Sequence, residues 1–263
     1  MARIRYIAIV AKDPEKLAEF YKRYLAMKEI ARTEDGDVSL TDSFYNVTLL
    51  RSRGGGDEPA EPGFLYLGFQ VESLKEVEAR YKLLYPSGKV FKEQGGPHRG
   101  ELRIYDGDGR TISLSEGTFG VTGTERRFPR IRHVAFATPN PTETLEFYSR
   151  DLGIKELPTS HEFRSNGQPN RFAGDGSTNF AMHPYPPGIG QDPRPGFNHI
   201  GFLVSDIDAI VKEMSAAVRI APRPADRPFA ELRFKDPERN AVDLSQHKGW
   251  EVDVNLWERA THS

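Results

Sequence analysis

The chain has 263 residues, with 36 lysines and arginines against 38 aspartates and glutamates and a formal net charge of -2. That length suits two units of roughly 125 residues each, and the interspersed charges leave no basic stripe for nucleic acid or for an anionic membrane. With no cysteine in the chain, disulfide scaffolds, thiolate zinc sites, iron–sulfur clusters and cysteine nucleophiles are all excluded. Any bound metal must rest on histidine and carboxylate ligands, which suit Fe, Mn, Zn, Ni or Co.

Along the chain, RIRYIAIV (3–10) predicts a strand; its apolar run is far shorter than a signal-peptide core. Asp13 followed by Pro14 predicts a capped helix carrying Leu17, Phe20, Tyr21 and Tyr24 at helical spacing. Strands follow over 37–51. A second unit starts at Phe64, opens its helix with a capping box of Ser73 and Glu76, and closes with a strand over 110–116. The plan then repeats, with Asn140, Pro141 and Glu143 starting one helix and Ser205 starting the last, near 206–216. The segments 51–63 and 184–196, rich in Gly and Pro, read as loops within each half, and 118–129 as the link between halves. The expected domains are therefore 1–118 and 130–250, with 251–263 a tail whose Leu256 and Trp257 suggest a short closing helix. No stretch is long enough to span a bilayer, so the expectation is a soluble cytoplasmic protein.

The two halves are copies of one pattern. RIRYIAIVAKDPEKLAEFYKRYLAMKEI (3–30) recurs as RIRHVAFATPNPTETLEFYSRDLGIKEL (130–157), with 12 identities in 28 ungapped positions. FLYLGFQV (64–71) recurs as FNHIGFLV (197–204), and ELRIYDGDGRTISLS (101–115) as ELRFKDPERNAVDLS (231–245). Tyr6, Tyr66 and Ser113 of the first copy thereby become His133, His199 and Asp243 of the second. Two imidazoles and a carboxylate can hold a divalent metal while leaving coordination positions open; two phenols and a hydroxyl do not. Strand alternation places each of the three opposite the apolar residues that face the helices: His133 shares its face with Ala135, His199 with Gly201 and Asp243 with Ser245. Small neighbours leave room for a ligand. The competing reading, that a histidine in an apolar strand is simply hydrogen-bonded core, weakens when three ligand-type residues change together; Asp243 could still serve only to anchor a buried histidine.

Duplicated strand–helix–strands units, with a histidine on the first strand of the second copy, another opening the last unit and a carboxylate on the last strand, resemble the vicinal oxygen chelate superfamily. The four-unit layout is most similar to the two-domain extradiol ring-cleaving dioxygenases. The resemblance covers about residues 3–247 and implies an α+β fold of four βαβββ modules paired into two domains, each a cupped mixed sheet with helices on the outside. It implies Fe(II) or Mn(II) held by His133, His199 and Asp243, with aspartate where the family has glutamate, one methylene longer. His183 matches a family histidine near the oxygen-binding side and is the candidate catalytic residue, with an extra ligand or an ordinary loop histidine as alternatives. At the places of the family's acid–base histidine and substrate-binding tyrosine stand Pro224 and Arg233, neither a general base at neutral pH. Glu231 is discounted as a ligand, because Glu101 matches it in the metal-free copy. His247 has the strand parity to line the cleft.

The resemblance implies an extradiol-type dioxygenase acting with O2 on a small catechol-like aromatic. The alternatives are a redox-neutral isomerase, lyase or hydrolase of the same superfamily, acting on a carbonyl substrate, and a non-catalytic small-molecule binding protein. Proteins of paired-module type often self-associate, so a homo-oligomer is a further expectation.

Overall fold

The computed structural model describes residues 2–53, 63–123, 127–157, 164–165, 168–185, 196–225 and 230–247; the tail over 251–263 lies outside them. The first half folds as β1 (Arg3–Ala11), α1 (Pro14–Leu25), β2 (Lys28–Arg32), β3 (Val38–Thr41), β4 (Asn46–Arg51), β5 (Gly63–Gln70), α2 (Leu74–Leu84), β6 (Phe91–Lys92), β7 (Leu102–Tyr105) and β8 (Thr111–Ser115). The second half folds as β9 (Arg130–Thr138), α3 (Pro141–Leu152), β10 (Lys155–Glu156), β11 (Arg164–Ser165), β12 (Gln168–Pro169), β13 (Arg171–Gly174), β14 (Asn179–Pro184), β15 (Gly196–Leu203), α4 (Ile207–Met214), β16 (Ile220–Pro222), β17 (Leu232–Lys235) and β18 (Ala241–Ser245). Each half forms one eight-stranded mixed sheet, ordered β2-β3-β4-β1-β5-β8-β7-β6 in the first and β10-β13-β14-β9-β15-β18-β17-β16 in the second. The antiparallel pair β1–β5, or β9–β15, joins two strand–helix–strands modules at the middle of each sheet.

Local chemistry starts the helices. Asp13 caps α1 by accepting from Lys16 N at 3.1 Å, Ser73 caps α2 through Glu76 N at 3.2 Å, and Asn140 caps α3 through Glu143 N at 3.4 Å. The last helix differs from the sequence expectation by one position. Asp206, not Ser205, is its cap, because the Asp206 carboxylate reaches Ala209 N at 2.9 Å. A carboxylate there satisfies an orphan N–H and complements the helix dipole as well.

The helices pack against the sheet faces where the two halves meet. Tyr148 of α3 packs with Phe180 and Phe136 of its own half, at centroid distances of 4.8 and 6.1 Å, and with Phe69 of the other half at 5.8 Å. Phe20 and Tyr21 of α1 reach Phe234 and Phe202 at 5.9 and 6.4 Å. One apolar core therefore runs through both halves, and the opposite sheet faces carry separate small clusters.

The junction is reciprocal in its hydrogen bonds. Ile131 N donates to Asp42 Oδ2 at 2.8 Å, and Ile4 N donates to Asp175 Oδ2 at 2.7 Å. Likewise Tyr21 OH donates to Asp236 Oδ2 at 2.8 Å and Tyr148 OH to Asp106 Oδ2 at 3.1 Å. All four carboxylates are buried, and each bond from one half to the other has its counterpart running in the opposite direction. Among the described residues, no helix is long and apolar enough to cross a membrane.

Candidate metal centre

A single row of residues across the second sheet carries the site. In register it runs Asn179 on β14, His133 on β9, Gly201 on β15, Asp243 on β18, Arg233 on β17 and Ala221 on β16. Gly201, lacking a side chain, separates His133 from Asp243. His199 stands one pleat along β15, on the same face. The three side chains that the sequence singles out are thus brought together, all buried. His133 Nε2 lies 3.0 Å from His199 Nε2, and His199 Nε2 lies 3.5 Å from Asp243 Oδ2.

The imidazoles are oriented from behind. His133 Nδ1 is 3.0 Å from Asn179 Oδ1, and His199 Nδ1 is 2.7 Å from Asn198 Oδ1. An amide oxygen accepts only, so an Nδ1–H of each ring donates to it, and the two Nε2 atoms turn toward one common point. Two nitrogens bound side by side to one divalent ion at about 2.1 Å each are themselves about 3 Å apart, so the imidazole pair fits a metal.

Burial keeps both rings neutral. It pushes His133 down from 6.5 to about 4, against the nearby Asp243 carboxylate, which pulls the other way. It also holds His199 well below its ordinary value, helped by the Arg233 guanidinium and the neighbouring histidines. Protons therefore compete weakly for these nitrogens at neutral pH. The same shift makes a stability prediction for metal-free protein. Between about pH 6.5 and pH 4 the unfolded chain binds a proton at His133 that the folded chain does not, so this group's contribution to stability falls as the pH is lowered through that window. His133→Gln should remove a loss on the order of 3 kcal/mol between pH 7 and pH 4, read by comparing urea unfolding of the two proteins at both pH values.

The carboxylate is not free. Arg233 grips Asp243 with two prongs, Nε to Oδ1 and Nη2 to Oδ2, the latter at 2.8 Å. Arg223 stands 3.9 Å from Oδ2. Among the described residues no set of three or more imidazole and carboxylate groups forms a ready-made cation cage. Here the third donor is engaged by a guanidinium whose side chain keeps 26% of its surface exposed, which gives it room to move.

His183 lies on the same face, its ring 5.9 Å from that of His199 and its Nδ1 3.2 Å from Asn170 Oδ1. Leu157, Phe172, Ala135 and Ala181 form a separate apolar cluster on this cleft face, with Phe172 edge-on to His183 at 6.5 Å. The other sequence candidates lie elsewhere. Pro224 is exposed after β16, and His247 is exposed rather than cleft-lining, its N–H donating to Glu231 Oε1 at 2.8 Å. Glu231 also takes Gln246 N at 3.2 Å, a structural role. His98 belongs to the first half, and His161 and His262 lie outside the described residues.

The first half shows what the site looks like without ligands. Its corresponding row is Asn46, Tyr6, Gly68, Ser113, Arg103 and Phe91. Tyr6 lies against Gly68, where an added Cβ would meet Tyr6 Cβ at 2.5 Å and the ring at 2.7 Å, and stacks on Phe119 at 4.9 Å. Its hydroxyl donates to His98 O, while Asn46 Nδ2 donates to Pro97 O at 2.6 Å and Phe119 O at 2.8 Å. The cleft is filled by the protein's own loop. Asn179 and Asn46 occupy equivalent places, one orienting a histidine and the other tying down that loop. Asparagine in both copies looks structural in the sequence and gives no signal for Asn179; the replacement of Leu50 by His183 at equivalent strand positions is the legible signal for His183.

Similarity to known proteins agrees with this layout. The family model of the Glyoxalase/Bleomycin resistance protein/Dioxygenase superfamily matches residues 3–114 and again 130–244. A search of curated proteins returns no match. Among solved structures, the 2,3-dioxygenase LapB from Pseudomonas sp. KL28 is 16% identical with a TM-score of 0.73, covering 94% of this chain and 92% of its own. The Mn(II)-bound glyoxalase from Novosphingobium aromaticivorans is 19% identical with a TM-score of 0.72, covering 97% and 86%. Homoprotocatechuate 2,3-dioxygenase from Arthrobacter globiformis is 20% identical with a TM-score of 0.68, covering 93% and 79%. At such identities the structures share the fold, and reaction chemistry does not follow from fold alone. Two matched copies spanning most of the chain make this protein a member of the Glyoxalase/Bleomycin resistance protein/Dioxygenase superfamily.

Proposed function

We propose that the second half holds one divalent metal, Fe(II) or Mn(II), through His133, His199 and Asp243, and that the protein is an extradiol-type dioxygenase of a small catechol-like aromatic. The observation that carries the metal reading is the convergence of two buried Nε2 atoms to 3.0 Å, each ring held at Nδ1 by an amide oxygen. Such outer partners set ligand orientation and basicity. When bound, the ion supplies a Lewis acid for a chelating diol and a path for electrons between that diol and O2. LapB and homoprotocatechuate 2,3-dioxygenase are both named as 2,3-dioxygenases, which supports this choice of reaction.

The chain's own residues have separate tasks. Asn179 and Asn198 keep His133 and His199 in the tautomer that presents Nε2. Phe172, Leu157, Ala135 and Ala181 offer an apolar wall for a flat ring and exclude water beside the donors. His183, with Nδ1 against Asn170 and its ring 5.9 Å from that of His199, is placed to hold or pass a proton near the diol and oxygen. Replacing His183 with Phe should lower kcat by roughly 100-fold while metal content stays unchanged, measured as oxygen uptake by Fe(II)-loaded protein with catechols. Loss of metal in that variant would make His183 a ligand instead.

A redox-neutral reaction on a carbonyl or diol substrate is the second reading. It is favoured by Pro224 and Arg233, which stand where the resemblance places an acid–base histidine and a tyrosine, and Arg233 is committed to Asp243. Exchange of iron for Zn(II) separates the two: oxygen chemistry stops, whereas carbonyl polarisation continues.

A further inference from the structure

The second half differs from the first in its charged residues as well as in its ligands. In the first half Arg103 Nε is 3.2 Å from Glu93 Oε1, and Ser113, directly across the strand pair, takes Gly100 N at 2.8 Å. Glu93 N donates to Glu101 O at 2.9 Å, and at the equivalent place Arg223 N donates to Glu231 O at 2.8 Å. Register therefore equates Arg223 with Glu93, Arg233 with Arg103 and Asp243 with Ser113. The duplication has reversed one charge and created another. The arginine has lost its acidic partner to an arginine and has gained the carboxylate expected to bind metal. Two guanidinium groups now face one buried carboxylate, beside two neutral imidazoles.

A divalent ion between the imidazoles would sit next to these guanidinium groups, and it needs the same carboxylate oxygens that Arg233 holds. Both cations cannot keep that carboxylate in full, because buried like charges at such spacing repel strongly. Arg233 is partly exposed at the cleft, whereas Asp243 is buried, so the guanidinium is the partner able to leave. We infer that Arg233 is an internal cation that closes Asp243 in the metal-free protein and must release it for a divalent metal to bind, making Arg233 the residue that sets metal affinity. This inference rests on the metal-centre reading above.

The test is calorimetric titration of Mn(II) into the metal-stripped full chain, for wild type, Arg233→Gln and Arg233→Lys. Arg233→Gln removes the competing charge and should bind Mn(II) about 10- to 100-fold tighter, the value of a charged two-prong hydrogen bond lost from the competing state. Its melting point without metal should fall, and Mn(II) should raise it by more than in wild type. Arg233→Lys keeps the charge but loses the fork; it guards against misfolding of the first variant and should also bind Mn(II) tighter than wild type, by a smaller factor. Arg103→Gln in the first half controls for loss of an arginine in general and should leave Mn(II) affinity unchanged. If wild type binds Mn(II) and neither Arg233 variant binds it tighter, the latch is wrong and the metal centre stands. If no protein in the series binds Mn(II), the metal centre fails and the latch fails with it.

Discussion

His199→Ala is expected to weaken Mn(II) or Fe(II) binding by more than about 100-fold, beyond the 10- to 100-fold that loss of an outer partner costs, and to leave the fold standing. The residue supplies one of the two Nε2 atoms that converge to 3.0 Å, and no other described side chain stands in its place on β15. His183, whose ring is 5.9 Å away, lies on β14 and is tied to Asn170. The stability cost should be modest. Removing the imidazole leaves Asn198 Oδ1, on a half-buried residue that water can reach, and a small void beside Gly201, together about 1–3 kcal/mol. Metal affinity by calorimetry and the urea midpoint separate the two effects. An affinity unchanged from wild type would remove His199 from the ligand set.

Asp175→Ala should destabilise the protein by about 3 kcal/mol or more without touching the metal donors. Asp175 Oδ1 accepts from Ser177 N at 2.8 Å and Thr178 N at 2.7 Å, and Oδ2 accepts from Ile4 N at 2.7 Å. The side chain is buried, so alanine strands three backbone donors, one of them belonging to β1 of the other half. Asp42 is its mirror, taking Phe44 N, Tyr45 N and Ile131 N at 2.8, 2.7 and 2.8 Å. The two variants should therefore cost similar amounts. Urea unfolding measures both, and Asp35→Ala is the control, since that side chain is 79% exposed and should change stability by less than about 0.5 kcal/mol. A loss below about 1 kcal/mol for Asp175→Ala would mean that water replaces these bonds.

Much of the architecture is written in local pattern. Period-two alternation in RIRHVAFA and FNHIGFLV, together with Asp-Pro and Asn-Pro starts, gives the strands and the main helices, and the tandem copy gives the two sheets. Alternation also tells which face His133, His199 and Asp243 occupy, because the apolar partners Val134, Phe136, Ile200, Phe202, Val242 and Leu244 all belong to the core. Three features were not legible. The reciprocal aspartates Asp42 and Asp175 sit in turns, where Asp is common for local reasons, and their bonds across the halves depend on how the sheets dock. The amide oxygens behind the histidines come from Asn179, which the copies share, and from Asn198, which sequence gives no reason to single out. The grip of Arg233 on Asp243 requires the β17–β18 register, which a sequence read without its partner strand does not show.

The central claim is that one divalent metal belongs to His133, His199 and Asp243. The most direct test is elemental mass spectrometry of the protein purified without oxygen, beside an Asp243→Ala variant. The account predicts iron or manganese approaching one per chain in wild type, or loading to that level on incubation with Fe(II) or Mn(II), and near zero in the variant. A wild-type protein that neither carries nor accepts a divalent metal, or a variant that holds it equally well, would contradict it.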